Sequence, residues 1–309
     1  MKKGGLPLIV IMESFWLHRY AILLSVCTLF LLLAGATVTS KEAGLSVPDW
    51  PLSYGQVMPP MTGGVLFEHG HRMAGATVGL LTIGLAIWLW RADPRTWMRR
   101  LGWIALVWVS VVGLLGGLTV KLLTPPPVSI LHTCLAHLFF SLTVAIAVFT
   151  SRRWYAGPDI VDDRGWPKLR PLAVLTPVLV LAQIALGAAF RQHALNVMPH
   201  VIGAVVAGVT ILLVGILILH QFGEHAALRR AALAMLGVTF IQVMLGMSAY
   251  VARMHADQRP GEMVVTTVAH LAVGALTLAS SIVLAIQVRR NVGSQAAQPA
   301  DSRHAVVVS

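Results

Sequence analysis

Four histidines, His71, His132, His200 and His270, each stand within the first two turns of a different apolar stretch. Imidazoles inside a bilayer are expensive, so four at one depth point to a shared task. Burial and the positive end of a helix dipole both disfavour the imidazolium, which leaves a neutral ring with a lone pair for a metal. The alternative is polar glue between helices or a place among lipid headgroups. Glu68 lies three positions before His71, on the same helical face. Ser129, Val197 and Thr267 occupy that place before the other three histidines, so only one of the four sites carries an acid. This asymmetry assigns proton-coupled chemistry to the N-terminal half and quiet retention of a cofactor to the C-terminal half. A plain Glu68–Arg72 salt bridge at the membrane surface is the bland alternative.

The elements that must position these residues are membrane helices. Hydrophobic residues make up 57% of the 309 positions and charged residues only 11%, which excludes an ordinary soluble domain. Eight stretches are long enough to cross a hydrocarbon core: roughly 20–38, 67–90, 101–122, 129–150, 171–190, 198–220, 231–251 and 264–287. With the N-terminus inside, seventeen lysines and arginines fall on inner loops and six on outer ones. That bias predicts a multi-pass protein of a bacterial cytoplasmic (inner) membrane with both termini cytoplasmic; a mitochondrial inner membrane is the second choice. The net charge of +11 is then an orientation signal, and nucleic acid is not an expected partner. No cleavage site precedes the first span, so no removable signal peptide is expected.

The fold class expected is all-α integral membrane, with eight transmembrane helices as two pseudo-repeated four-helix bundles. Residues 1–151 form the N-terminal half, 152–170 a cytoplasmic linker, 171–290 the C-terminal half, and 291–309 a disordered tail. VVGLLGGLTV and IQVMLGMSAY, each followed by an outer loop and a histidine-led span, carry the repeat. The first outer loop, about 28 residues with Trp50, Tyr54 and several prolines, is too long for a mere connector and is expected to cover something.

Two facing imidazoles on neighbouring helices can hold a porphyrin iron, so one bis-histidine haem site per half is expected, pairing His71 with His132 and His200 with His270. Gly75, Gly79, Gly203 and Gly208 offer room for a flat macrocycle. Arg72 and Arg191, at outer helix ends, are candidates for haem propionates or else ordinary interfacial anchors. His69 and His137 point off the ligating faces and are read as loop or interfacial groups. His18, His220, His225 and His304 are read as solvated at inner ends, and His193 and His255 as outer-loop groups beside a site. Cys27 and Cys134 are read as small apolar residues rather than a redox pair.

With GLSVPDWPLSYGQVMPPM, FEHGHRMAG, GGLTV, LHTCLAHLFF, FRQHALNVMPHVIGA and VAHLAVGALTL in view, the chain resembles the haem A synthase family over about residues 35–280. The resemblance implies an oxidoreductase of haem A biosynthesis, serving cytochrome oxidase assembly. Its reaction is oxidation of a methyl group of haem O to the formyl group of haem A by successive hydroxylations at the outer side of the membrane. It implies that Glu68, His71 and His132 form the catalytic site for haem O, and that His200 and His270 ligate a resident haem b. Haem O carries a farnesyl tail that partitions into lipid, which suits a membrane site. Haem O synthase is a candidate partner, and the electron acceptor stays open. Two features depart from the family pattern: the first outer loop has no cysteine pair, and Val112 stands where a glutamine is expected before GLLGG.

The alternative function is a non-enzymatic di-haem cytochrome b passing electrons between quinone and an external partner. Both readings require four ligating histidines; Glu68 and the covering loop favour the enzyme. A haem exporter or chaperone needs a continuous polar pathway, which the sequence lacks.

Overall fold

The computed structural model describes residues 8–163 and 165–293, with side chains from residue 15 onward. Its helices are α1 (Leu8–Ser40), α2 (Gly63–Ala92), α3 (Thr96–Lys121), α4 (Pro126–Phe149), the short α5 (Arg152–Tyr155), α6 (Leu169–Arg191), α7 (Met198–Gln221), α8 (Ala226–Met254) and α9 (Pro260–Asn291). Eight of these are long and apolar enough to cross a membrane, so the chain is an all-α integral membrane protein. The helices overrun the apolar windows of the sequence. Hydropathy ends at the headgroups, but backbone N–H and C=O groups need partners beyond them. Proline within the first two positions opens α4, α7 and α9, where its missing N–H costs nothing.

α1 packs on α2 and α4, with α3 bridging α2 and α4; α6 packs on α7 and α9, with α8 bridging α7 and α9. The result is two rings of four helices. α9 and α4 join them, α9 lying against α1 and α4, and α4 also against α6. Leu32, Phe140, Ala275 and Ala279 form an apolar cluster at this joint. α9 is accordingly the most buried of the eight helices and α8 the least.

Two stretches read as irregular are folded. Residues 152–170 contain α5 and the strand β1 (Val161–Asp162), which pairs in parallel with β2 (Val292–Gly293). Asn291 and Val292, expected to begin a disordered tail, are buried, and the Asn291 side chain accepts from the Asp159 N–H at 3.0 Å. Residues 294–309, including His304, lie outside the described residues. His225, expected to be solvated, is also buried. It caps α8 by accepting from the Leu228 N–H and reaches the Asp159 carbonyl at 3.0 Å. The cause is the linker, which folds over the helix end.

Candidate functional site: four imidazoles seated on glycines

Each of the four histidines meets a glycine on the helix that precedes its own. A Cβ built on Gly35 of α1 lies 2.8 Å from His71 Cε1, and one on Gly116 of α3 lies 3.2 Å from His132 Cε1. The C-terminal half repeats this, with Gly187 of α6 at 2.8 Å from His200 Cε1 and Gly246 of α8 at 2.9 Å from His270 Cε1. Measured from helix starts the histidines are out of step, since His200 is the third residue of α7 and His270 the eleventh of α9. What the four share is the glycine contact.

The residue four before each glycine completes the arrangement. His132 Nδ1 donates to the Val112 carbonyl at 3.0 Å, and His270 Nδ1 to the Gln242 carbonyl at 3.2 Å. A carbonyl can only accept, so these two rings carry their proton on Nδ1 and keep Nε2 as the nitrogen able to ligate. The side-chain amide of Gln183 reaches His200 Nδ1 at 2.9 Å and the His200 carbonyl at 2.7 Å. Leu31 holds the equivalent place before Gly35, and His71 Nδ1 is buried with no hydrogen-bond partner. Val112, the departure noted in the sequence, therefore supplies by its backbone the acceptor that Gln242 supplies by its own.

His200 and His270 are brought together, with ring centroids 6.3 Å apart and planes perpendicular. Two metal–imidazole bonds of about 2.0 Å, plus about 1.1 Å from each nitrogen to its ring centre, span roughly 6 Å, close to this separation. The side-chain oxygens of Gln183 and Gln242 are buried there without partners. His71 and His132 lie within electrostatic reach of one another. Among the described residues no group of three or more His, Cys, Asp or Glu could hold a metal ion.

Glu68 is buried at the rim of the first pair. Its Oε2 accepts from the Val47 N–H at 2.8 Å and its Oε1 from Arg72 Nη2 at 2.5 Å. Arg72 also donates through Nη1 to the carbonyls of Asp49 at 2.7 Å and Leu52 at 2.9 Å. These contacts fold the long loop of residues 41–62 down onto α2. Asp49 closes the loop on itself by accepting from the N–H groups of Tyr54 at 2.7 Å and Gly55 at 2.8 Å, and these bonds hold its carboxyl below the usual range. Trp50 lies on Gly117, where a Cβ would come within 2.6 Å of the indole. One glycine of the Gly116–Gly117 pair thus seats His132 and the next seats the loop.

The remaining expected residues have other partners. Arg191 Nη2 donates to the Ala36 carbonyl at 2.8 Å and to Ser40 Oγ at 2.6 Å, crossing from α6 to α1. His69 is buried under the loop with Nδ1 2.8 Å from Ser53 Oγ. His137 is buried and bonds back to the Thr133 carbonyl at 2.7 Å. His193 and His255 are exposed. Gly79 and Gly208 face open space, Gly75 touches Leu31 and Gly203 accommodates Gln183. Gln183 and Gln242, which reach His200 and His270, do not stand out in the sequence, although Gln-x-x-x-Gly occurs in both α6 and α8 and could have been noticed.

The pattern of the COX15-CtaA family, described as cytochrome oxidase assembly protein, matches residues 18–198. The chain belongs to this family. Its matched span holds α2, α3 and α4 entire, with Glu68, His71 and His132. Among similar proteins, a heme A synthase of Symbiobacterium thermophilum is 32% identical over 161 residues, covering 49% of this chain and 53% of the relative. One of Shewanella oneidensis is 27% identical over 194 residues, 57% of this chain and 56% of the relative. One of Shouchella clausii is 37% identical over 108 residues, 32% of this chain and 34% of the relative. The chain thus spans about half the length of the first two relatives and a third of the last.

Proposed function

We propose that the protein is a haem A synthase, an oxidoreductase that converts the methyl group of haem O to the formyl group of haem A by successive hydroxylations. The observation that carries this reading is the placing of one buried carboxylate, Glu68, beside one of two otherwise repeated imidazole pairs. In the C-terminal half, His200 and His270 hold a resident haem b, for which their 6.3 Å spacing is suited. When bound, that haem supplies a redox-active iron able to pass single electrons.

In the N-terminal half, His71 and His132 hold the substrate haem O by its iron. Glu68, three residues before His71 on α2, would take the proton released as the methyl carbon gives its electrons to an external acceptor. The loop of residues 41–62, held by Arg72 and Trp50, would cover this half of the protein while haem O is bound. Both termini are cytoplasmic in this reading, which sets the loop and the four histidines at the outer side of a bacterial cytoplasmic membrane. The substrate arrives through lipid, haem A leaves the same way, and a haem O synthase is the source.

One observation favours the other reading, a di-haem cytochrome b: both oxygens of Glu68 are engaged, by Val47 and Arg72, as in a purely architectural ion pair. Pigment extraction separates the two. Cells lacking the protein accumulate haem O and lose haem A if it is the synthase, and unchanged haem A rules the synthase out.

A further inference from the structure

The glycine under each imidazole is more than a packing detail. In all four cases the nearest ring atom to the missing methyl is Cε1, followed by Nδ1, so the rings meet their glycines in one common orientation. The distances of 2.8, 3.2, 2.8 and 2.9 Å are below ordinary van der Waals contact. Four residues earlier, one helical turn along the same face, stands Leu31, Val112, Gln183 or Gln242. At His132, His200 and His270 the ring therefore has two points of support, the glycine on the neighbouring helix and a carbonyl or side-chain amide at Nδ1, while His71 has the glycine alone.

We propose that Gly35, Gly116, Gly187 and Gly246 are positioning residues that orient the four imidazoles for ligation, a role that rests on the haem-binding reading above. A methyl group at these places meets the far end of a side chain rather than backbone. The ring can yield where a helix cannot, so the fold survives while the nitrogen moves. Gly187 and Gly246 carry the strongest case, because both face the His200–His270 pair. A matched control lies on the same fold: a Cβ on Gly237 of α8 meets nothing within 4 Å.

The test uses the full-length protein in detergent, reconstituted with protohaem, and reads haem content, the optical spectrum and the low-spin electron paramagnetic resonance signal. Gly187→Ala and Gly246→Ala should each lose haem affinity by ~10-fold and convert retained haem from a low-spin, two-histidine signature to an altered one. Gly237→Ala should match the unsubstituted protein in all three readouts. Unchanged affinity and spectra in whichever of the two seat variants accumulates would overturn the seat while leaving the haem reading intact. An unsubstituted protein that binds no protohaem overturns both. Equal loss in seat variants and control also overturns the seat, since the effect then tracks helix stiffening rather than contact with the ring.

Discussion

Arg72 joins Glu68, one turn before it on α2, to the backbone of a loop twenty residues earlier in the chain: the same guanidinium is 2.5 Å from Glu68 Oε1 and 2.7 Å from the Asp49 carbonyl. Acid and cover are thereby one assembly. Lysine, whose three N–H donors all leave one nitrogen, lacks the planar fork that lets Nη1 and Nη2 serve separate acceptors.

Arg72→Leu strips Glu68 of its ion-pair partner while leaving the acid buried. Loss of one member of such a pair costs roughly 3 kcal/mol. The expected result is a loop cut rapidly by protease between residues 47 and 57 and a lowered melting temperature, with Arg72→Lys between this variant and the unsubstituted protein. Protease resistance unchanged in Arg72→Leu would show that other contacts hold the loop.

Glu68→Ala should abolish haem A formation in cells while the optical spectrum of the C-terminal haem persists. Glu68→Gln keeps the hydrogen bond from Val47 but not the proton chemistry, and should fail likewise. Activity retained in Glu68→Gln would assign the residue to loop anchoring alone.

His200→Ala and His270→Ala should each bleach the resident haem spectrum. Each removes one of the two imidazoles, 6.3 Å apart, to which the proposed function assigns that haem. The corresponding His71→Ala and His132→Ala variants should keep that spectrum and lose haem A formation. A spectrum lost equally in all four would contradict one resident haem per C-terminal half.

Asp49 supplies the pH dependence. Its carboxyl is held below the ordinary value of about 3.9 by the Gly55 and Tyr54 N–H groups, so the loop gains stability that is complete above that value. The gain disappears as pH falls through the depressed folded value. Hydrogen exchange across residues 49–55 should therefore stay protected down to about pH 4 and open below it. Asp49→Asn should open the loop at neutral pH, and protection unaltered by that substitution would remove Asp49 from the clamp.

Trp50→Ala should loosen the loop by about 2 kcal/mol, less than for a fully buried tryptophan because Trp50 is half-buried. Gly117→Ala acts from the other side of the same contact. Tryptophan fluorescence and protease cleavage read both.

The eight spans were legible because a bilayer imposes a length on any apolar helix, and the four histidines because imidazole is conspicuous in such segments. The seats were not. Glycine is common in membrane helices, and which of the 27 glycines faces a neighbour's ring depends on helix rotation, which hydropathy does not encode. Arg72 and Arg191 show a related limit: a guanidinium at a helix end suits a propionate, a loop carbonyl or another helix equally, and here it meets the last two. His225 was misread because a two-residue ladder, Val161–Asp162 against Val292–Gly293, is too short to leave a pattern. The reach of the covering loop was anticipated from its length, but its grip by Asp49, Trp50 and Arg72 depends on turns that composition alone does not specify.

Arg191 ends α6 yet is fastened to Ala36, the very neighbour of the glycine beneath His71. A tug at the end of the second half's first membrane helix is thus felt one peptide away from the glycine beneath His71. The two four-helix halves are for that reason not interchangeable parts. Splitting the gene at the linker and co-producing its pieces, or grafting in a sister copy, must also rebuild that single cross-brace.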